Sequence, residues 1–599
     1  MPEPSNAILE GFRSLEELNG IELRSEPTWD PDDELYHLEV ALSANPPDGS
    51  AVPSTSRWFV LVSVDYPLGG IDVLPSREGS LTQTFQHQLN NSTVGTKPRR
   101  WRPGKLCLDT GTAALDRHGR ESGEPRGAAT RLAWHLERAR VWLARAAAGE
   151  LALPGDPFEL PDYRPGGKRV ILFHEHSDSL AAWRTVTDTW GRVVFGELGE
   201  LTLATSAFTN PSGETLFAPA WGKRLAQARH ATTGLWVLAS APICDPPWQA
   251  PMTWGVLCDH LASQDIHIMS ILRQAAESLR DGRSHYLLLG FPVPRQIGGE
   301  PARLHWVGLT LPTLTVPGQQ LKGFRNSGPG LWRYDQSRSF RPDVPVAWVP
   351  TENGGDAELK SRGSLSAVWQ TACVVCIGVG ALGSAVAELL VRGGARDVIL
   401  CDAEELDPGN LVRHVLTCTD LGRSKAEALA DRLNAASPNG RVTWIAKSFP
   451  PGDAASRELL ARANIVVDCS ANDDVLHHLA KFPFHAAPAA FIISFGAHAK
   501  RLFLYGGSSV LVDPAHYLDW IDPWLELERR ERGRDGNSEL RPSIGCWHPA
   551  FPGRPDHVWL LAGTGVGWMN DRITDGTVEA REVFCRENLE LKRESLPDA

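Results

Sequence analysis

The residues best suited to chemistry in this chain lie between positions 374 and 425. The stretch opens as VVCIGVGALGSAVAELLV, which puts Gly378, Gly380 and Gly383 in GxGxxG spacing. Each glycine has a mechanical job. Gly378 permits a tight turn, Gly380 lets backbone approach a phosphate, and Gly383 lets a helix pack closely on the preceding strand. N–H groups at the helix start then face an anion. That much fits any nucleotide. Asp402 ends the next apolar run and suits a ribose hydroxyl, and Asn410, Arg413 and Lys425 follow it. Attack on the α-phosphate of ATP builds charge on the phosphoryl oxygens and the departing pyrophosphate, and fixed cations with Mg²⁺ stabilise that charge. Hydride transfer needs no such cations here. The spacing therefore favours ATP chemistry over a bound dinucleotide. The plainer alternative makes Arg413 and Lys425 solvated surface charges.

These side chains need a strand before the turn, a helix after it and a second strand to carry Asp402. The pattern predicts strand 374–377, helix 382–392, strand 397–402, helix 424–436, strand 442–448, helix 454–463, strand 464–469 and strand 490–495. Such alternation implies a mostly parallel sheet with helices on both faces. At 599 residues the chain should hold about three domains of roughly 100–200 residues each. The third spans 326–599. The first, 1–165, reads as strands (IELRSE, LYHLEVALSA, WFVLVSVDYPL), then GKLCLDT, then the helical repeat of ATRLAWHLERARVWLARAAAGEL, an α+β order. PGDPFELPDYRPGGK reads as a linker. The second, 166–325, is a mixed α/β block that spaces or docks its neighbours. Its His174 and His176 flank Glu175, but His-x-His on a strand without further ligands reads as structural.

Net charge is −12, which argues against a nucleic-acid binder. The apolar run 374–391 is long enough to suggest a membrane span, yet it contains Glu388 and the turn glycines, so it reads as buried strand plus helix. The start, MPEPSNAILEGFRSLEEL, lacks a basic stretch followed by an apolar core. With ten scattered cysteines, this predicts reduced thiols in the cytoplasm. Cys373 and Cys376 form the one C-x-x-C, in the strand feeding the turn, and read as packing; no zinc is expected.

Two other cysteines stand out. Cys546 lies in RPSIGCWHPAFPG, a Pro/Gly-rich segment with His548 two residues on. A loop thiol is more accessible than a core thiol, and a nearby cation favours the thiolate. Cys107 lies in WRPGKLCLDT. For either one, the plain alternative is a packed thiol.

The 370–500 region resembles the ThiF/MoeB-type adenylyltransferase domain shared with ubiquitin-activating enzymes. GVGALGS matches its glycine turn, CDAEELDPGNLVRH its ribose acid and Asn-x-x-Arg, and GRSKAEALADRLNAASP its G-x-x-K segment. The resemblance implies ATP–Mg²⁺, attack by a protein C-terminal carboxylate to give an acyl-adenylate, and a homodimer. The family's Asp-x-x-Asp is altered: the chain reads Asp468-Cys469-Ser470-Ala471-Asn472-Asp473, with Ala471 at the second acid, so Asp473 is the candidate Mg²⁺ ligand. GKLCLDT resembles the G-x-x-CLD signature of ubiquitin-conjugating enzymes. The HPN tripeptide of those enzymes is replaced by His87-Gln88-Leu89-Asn90, which leaves the oxyanion amide unassigned. The position of Cys546 resembles the catalytic cysteine of bacterial activating enzymes.

The whole layout resembles bacterial fusions of a conjugating-type domain, a linker and an activating-type domain, found in CBASS antiphage operons and ubiquitin-like operons. It implies a relay. Gly378, Gly380, Gly383 and Asp402 hold ATP, and Asn410, Arg413 and Lys425 assist adenylation. Cys546 takes the acyl group as a thioester, and Cys107 passes it to an amine of a target protein. The activated partner is a ubiquitin-like modifier or a cyclic-nucleotide synthase. The competing readings are an adenylyltransferase for a sulfur carrier, an NAD-dependent oxidoreductase and a scaffold.

Overall fold

The computed structural model describes residues 3–108, 123–319, 321–508, 513–534, 553–588 and 590–596. It divides into two compact units, one of Met1–Pro219 with His230–Asn353, the other of Ala220–Arg229 with Gly354–Ala599.

The first unit contains two sheets. The N-terminal one is antiparallel, with Leu35–Ser43, Thr55–Ser63 and Ile71–Pro75 in sequence and Ile21–Leu23 at the edge. Alternation along these strands sends Leu38, Val40, Trp58 and Val60 to one face, where Leu136 and Trp142 of helix Ala128–Ala148 cover them. Residues 104–108 of GKLCLDT do not extend this sheet. They are held by a single bridge, Gln88–Leu106, and by loop hydrogen bonds. The second sheet has nine strands, and Thr351–Asn353 at its far edge pairs in parallel with Val170–Phe173, so strands beyond residue 325 belong to it. Its two faces carry separate apolar clusters. Part of the high tryptophan content is core packing. Trp58, Trp142, Trp236, Trp254, Trp306 and Trp369 are among the largest fully buried side chains.

The second unit carries an eight-stranded sheet. Five strands run parallel in the order Arg441–Ile445, Asp397–Cys401, Cys373–Ile377, Ile465–Asp468, Ala489–Phe495. Arg501–Ser508, Ala580–Glu587 and Glu590–Arg593 then continue it antiparallel. Helices Ala381–Arg392, Lys425–Ala436 and Pro555–Thr574 cover one face, and Ala454–Ala461, Asp473–Leu479 and Pro514–Arg534 the other. Cys373 and Cys376 point to opposite faces, as an odd offset on a strand dictates, so they cannot share a metal. Burial pushes the Cys376 thiol up to about 12.

Candidate active site

The carboxyl ends of the parallel strands converge on the glycine turn. Gly378 takes φ +74°, and a β carbon there would stand 2.6 Å from the Ser470 Cα. At Gly383 it would stand 1.9 Å from the Gly378 carbonyl oxygen, so the helix could not seat on its own turn. At Gly380 it would meet nothing within 4 Å. The first two glycines are required by the protein itself, while the third leaves space for something else.

That space is a cavity of about 310 Å³ lined by Gly380 and Ala381 at the start of the helix and by Asn410, Arg413, His414 and Lys425. Helix geometry leaves the first N–H groups of Ala381–Arg392 without intrahelical acceptors. Arg413 is half-buried, and Lys425 is 5% exposed. The cations are brought in by a small zip of backbone. Lys425 N–H donates to the Glu404 carbonyl, Leu406 N–H to the Arg423 carbonyl and Gly422 N–H to the Leu406 carbonyl. Asp402 and Lys425 are thus neighbours despite their separation in sequence. The Lys425 ammonium pairs with the Glu404 carboxylate. Asn410 closes a short 3₁₀ turn by accepting from Asp407 N–H at 3.1 Å, and its carbonyl accepts from Arg413 and His414.

Asp402 is committed to the turn. Its two oxygens accept from Val379 N–H at 2.7 Å and Glu404 N–H at 2.8 Å. Burial raises its pKa, opposed by those two N–H groups and Lys425. Asp468 is buried at the end of its strand, accepts from Ser470 N–H at 2.9 Å, and is pushed up to about 6 by burial. Ala471 follows in the left-handed region at φ +51°. It lines the cavity together with Ser494 and Phe495, and the same three residues border a second cavity of about 270 Å³. Asp473 lines the second cavity and opens the helix Asp473–Leu479. Tyr517, Ile521 and Leu525 form the apolar wall of the second cavity. Among the described residues no group of three or more His, Cys, Asp or Glu side chains could hold a metal ion.

Sequence reasoning passed over His414, Glu404 and the second cavity. The signal for the first two lay in CDAEELDPGNLVRH itself, where Glu404 and His414 are among the other groups able to pair or ligate.

Of the two cysteines, Cys546 lies outside the described residues. Cys107 is part-buried, and its N–H donates to the His87 carbonyl at 2.9 Å. His87, at φ +57°, faces Glu159 through Nδ1 at 2.8 Å and the Leu151 carbonyl through Nε2 at 3.1 Å. Burial alone would lower its pKa, but these acceptors carry it above the usual imidazole value. The Asn90 amide donates to the Asp162 carbonyl at 2.8 Å. The Asn91 amide donates to the carbonyls of Leu81 and Gln83. Both amides are occupied by the local fold.

Comparison with known proteins follows this geometry. Residues 149–354 match the Cap2 central linker domain, and residues 363–490 match the ThiF family. The chain is 31% identical over 543 residues to the ATP-dependent ubiquitin transferase-like protein Cap2 of Enterobacter hormaechei subsp. hoffmannii, covering 89% of each chain. The chain belongs to the Cap2 family. Its ThiF-type domain carries out ATP-dependent adenylation, and the Cap2 layout joins that domain to a central linker. A shorter match, 32% identical over 100 residues, covers 16% of this Cap2-family chain and 39% of the sulfur carrier protein ThiS adenylyltransferase of Escherichia coli. E. coli MccB solved with ATP overlaps at a TM-score of 0.27 and 15% identity, over 38% of this chain and 64% of that one. That overlap is too shallow to add to the assignment. The glycine turn, the open space at Gly380 and the two cations fit the phosphates of ATP.

Proposed function

We propose that this protein activates the C-terminal carboxylate of a partner protein and conveys it, through two thioesters, to an amine. The observation that carries the reading is the convergence of a helix N-terminus, Arg413 and Lys425 on one open cavity that adjoins a second through Ala471, Ser494 and Phe495. The nucleotide occupies the first cavity and the acyl tail approaches through the second. A tail carboxylate oxygen attacks the α-phosphorus, the bond to the β-phosphate oxygen breaks, and pyrophosphate leaves as acyl-AMP forms. Arg413 and Lys425 hold the developing charge, and Lys425 has donors beyond the one given to Glu404. Asn410 fixes the loop that presents Arg413. Mg²⁺ bound to triphosphate would need only one or two protein carboxylates, and Asp473, on the cavity that adjoins the nucleotide's, is our candidate for that role.

The Cys546 thiolate then attacks the acyl carbon and AMP leaves. Support comes from the described residues on either side of 535–552. Before that segment, Glu528 accepts from Ala497 N–H at 3.0 Å and Glu531 pairs with Arg501 at 2.8 Å. After it, a β carbon on Gly553 would touch the Ala499 side chain at 3.8 Å. Both flanks therefore lie beside the turn after Phe495, at the edge where the parallel strands end. Cys107 takes the acyl group by thioester exchange, in an N-terminal domain we read as ubiquitin-conjugating-like. A target amine, lysine by preference, attacks to form an amide and releases the Cys107 thiol. The activated partner is a ubiquitin-like modifier or a cyclic-nucleotide synthase, in antiphage defence. We infer a cytoplasmic homodimer that binds neither nucleic acid nor membrane. Among the described residues, no helix is long and apolar enough to cross a membrane.

The test is ATP–pyrophosphate exchange in the presence of candidate C-terminal tails, followed by thioester trapping on non-reducing gels. Cys546→Ala should keep exchange and lose both thioesters, and Cys107→Ala should stall the acyl group on Cys546. Full conjugation by Cys107→Ala would reduce the reading to a simple adenylyltransferase.

A further inference from the structure

His414 lines the nucleotide cavity between Arg413 and the Lys425 helix, yet its ring is turned to the backbone. Nε2 lies 2.7 Å from the Val379 carbonyl, which can only accept. Nδ1 lies 3.1 Å from the Leu416 N–H, which can only donate. Those two partners force the neutral ring with its proton on Nε2. Burial, with Lys425 and Arg432 nearby and Asp420 opposing them, brings His414 down to about 4. Its single proton is engaged and its lone pair is filled, so it is unsuited to proton transfer.

What it holds matters more. Val379 is the middle residue of the Gly378-Val379-Gly380 turn. Its N–H is fixed by Asp402 at 2.7 Å and its carbonyl by His414. In a trans peptide the C=O of one residue and the N–H of the next point in opposite directions. Fixing the Val379 carbonyl therefore fixes the direction of the Gly380 N–H, at the one turn glycine whose missing side chain leaves open space. We propose that His414 is a positioning residue for adenylation, which aims the glycine turn at the phosphates by clamping the Val379 carbonyl. The proposal rests on the cavity being the ATP site.

The requirement is one donor and one acceptor at the right reach, which glutamine also supplies. Full-length protein should be titrated with α,β-methylene-ATP and Mg²⁺, with thermal melting in parallel. His414→Gln should bind within about 3-fold of the parent, whereas His414→Leu and the shorter His414→Asn should bind about 10-fold or more weakly, the scale of a lost hydrogen bond with its partner left buried. Parent-like binding by His414→Leu, or a Gln variant as weak as Leu, overturns the proposal. If the Leu variant does not fold, the Gln-against-Asn comparison decides, and equal affinities overturn it. A parent that binds no nucleotide overturns the reading of the cavity itself, and the proposal with it.

Discussion

Glu175 in the middle domain and Asp402 in the adenylation domain start from the same kind of cue, a carboxylate closing an apolar strand beside other residues able to ligate or titrate. Burial raises both. Glu175 goes to about 7, and its oxygens are consumed by the protein. Oε1 accepts from the indoles of Trp183 at 3.0 Å and Trp306 at 2.8 Å, and Oε2 accepts from the Ser179 hydroxyl. It is a fastener between a strand, a helix and the tryptophan cluster. Asp402 is also bonded, but to the backbone of a turn whose next glycine opens on a cation-lined cavity. A shifted pKa does not separate the two. What separates them is whether the protein fills the space beside the carboxylate or leaves a cavity there, lined by Arg413 and Lys425.

Substitutions can break or sharpen this contrast. Removing a cation from the cavity should have the largest effect. Arg413→Ala or Lys425→Met should cut ATP–pyrophosphate exchange on the order of 100- to 1000-fold with folding retained. An effect under a few-fold would leave these residues with a structural role only. Gly383→Ala forces a methyl onto the Gly378 carbonyl. It should cost about 2 kcal/mol or more of stability by chemical denaturation and weaken nucleotide binding.

Glu175→Gln should leave adenylation unchanged and act on stability alone. The folded-state pKa of about 7 lies above the ordinary 4.5, so the folded protein binds this proton more tightly than the unfolded chain. The stabilisation is complete below about pH 4.5 and is lost as pH rises through 7. Denaturation at pH 8 should therefore find Glu175→Gln more stable by on the order of 1–3 kcal/mol, with no gain at pH 4. The smallest effect belongs to Glu159→Gln. His87 titrates above 6.5 because of Glu159, so that contribution is present below 6.5 and fades as pH rises through the folded value. With Glu159 42% exposed at its side chain, the loss at pH 6 should stay under about 1 kcal/mol.

Much of the site was legible because its cues are local. A continuous apolar run bounded by glycine marks Cys373–Ile377, and Ser424 before a helical repeat marks Lys425–Ala436. The rest depends on partners distant in sequence. Nothing near His414 announces Val379, which it meets across 35 positions. The strands Arg501–Ser508 and Ala580–Glu587 pair across an insertion whose described residues include the helices Pro514–Arg534 and Pro555–Thr574, so their role in completing the sheet was hidden. At Cys107 the cysteine was visible, but the commitment of the Asn90 and Asn91 amides to Asp162, Leu81 and Gln83 was not.

The backbone zip between 404–406 and 422–425 has a consequence for how such a site can change over generations. It closes the base of the segment 407–421, so insertions there that spare His414 need not disturb Asp402 or Lys425. Asn410, Arg413 and His414 all ride on it, beside Val412, which is 65% exposed. One of the two cavity cations and the residue that holds the Val379 carbonyl are thus carried on a segment with its own closed base, while the glycine turn and Lys425 belong to the sheet edge that receives it.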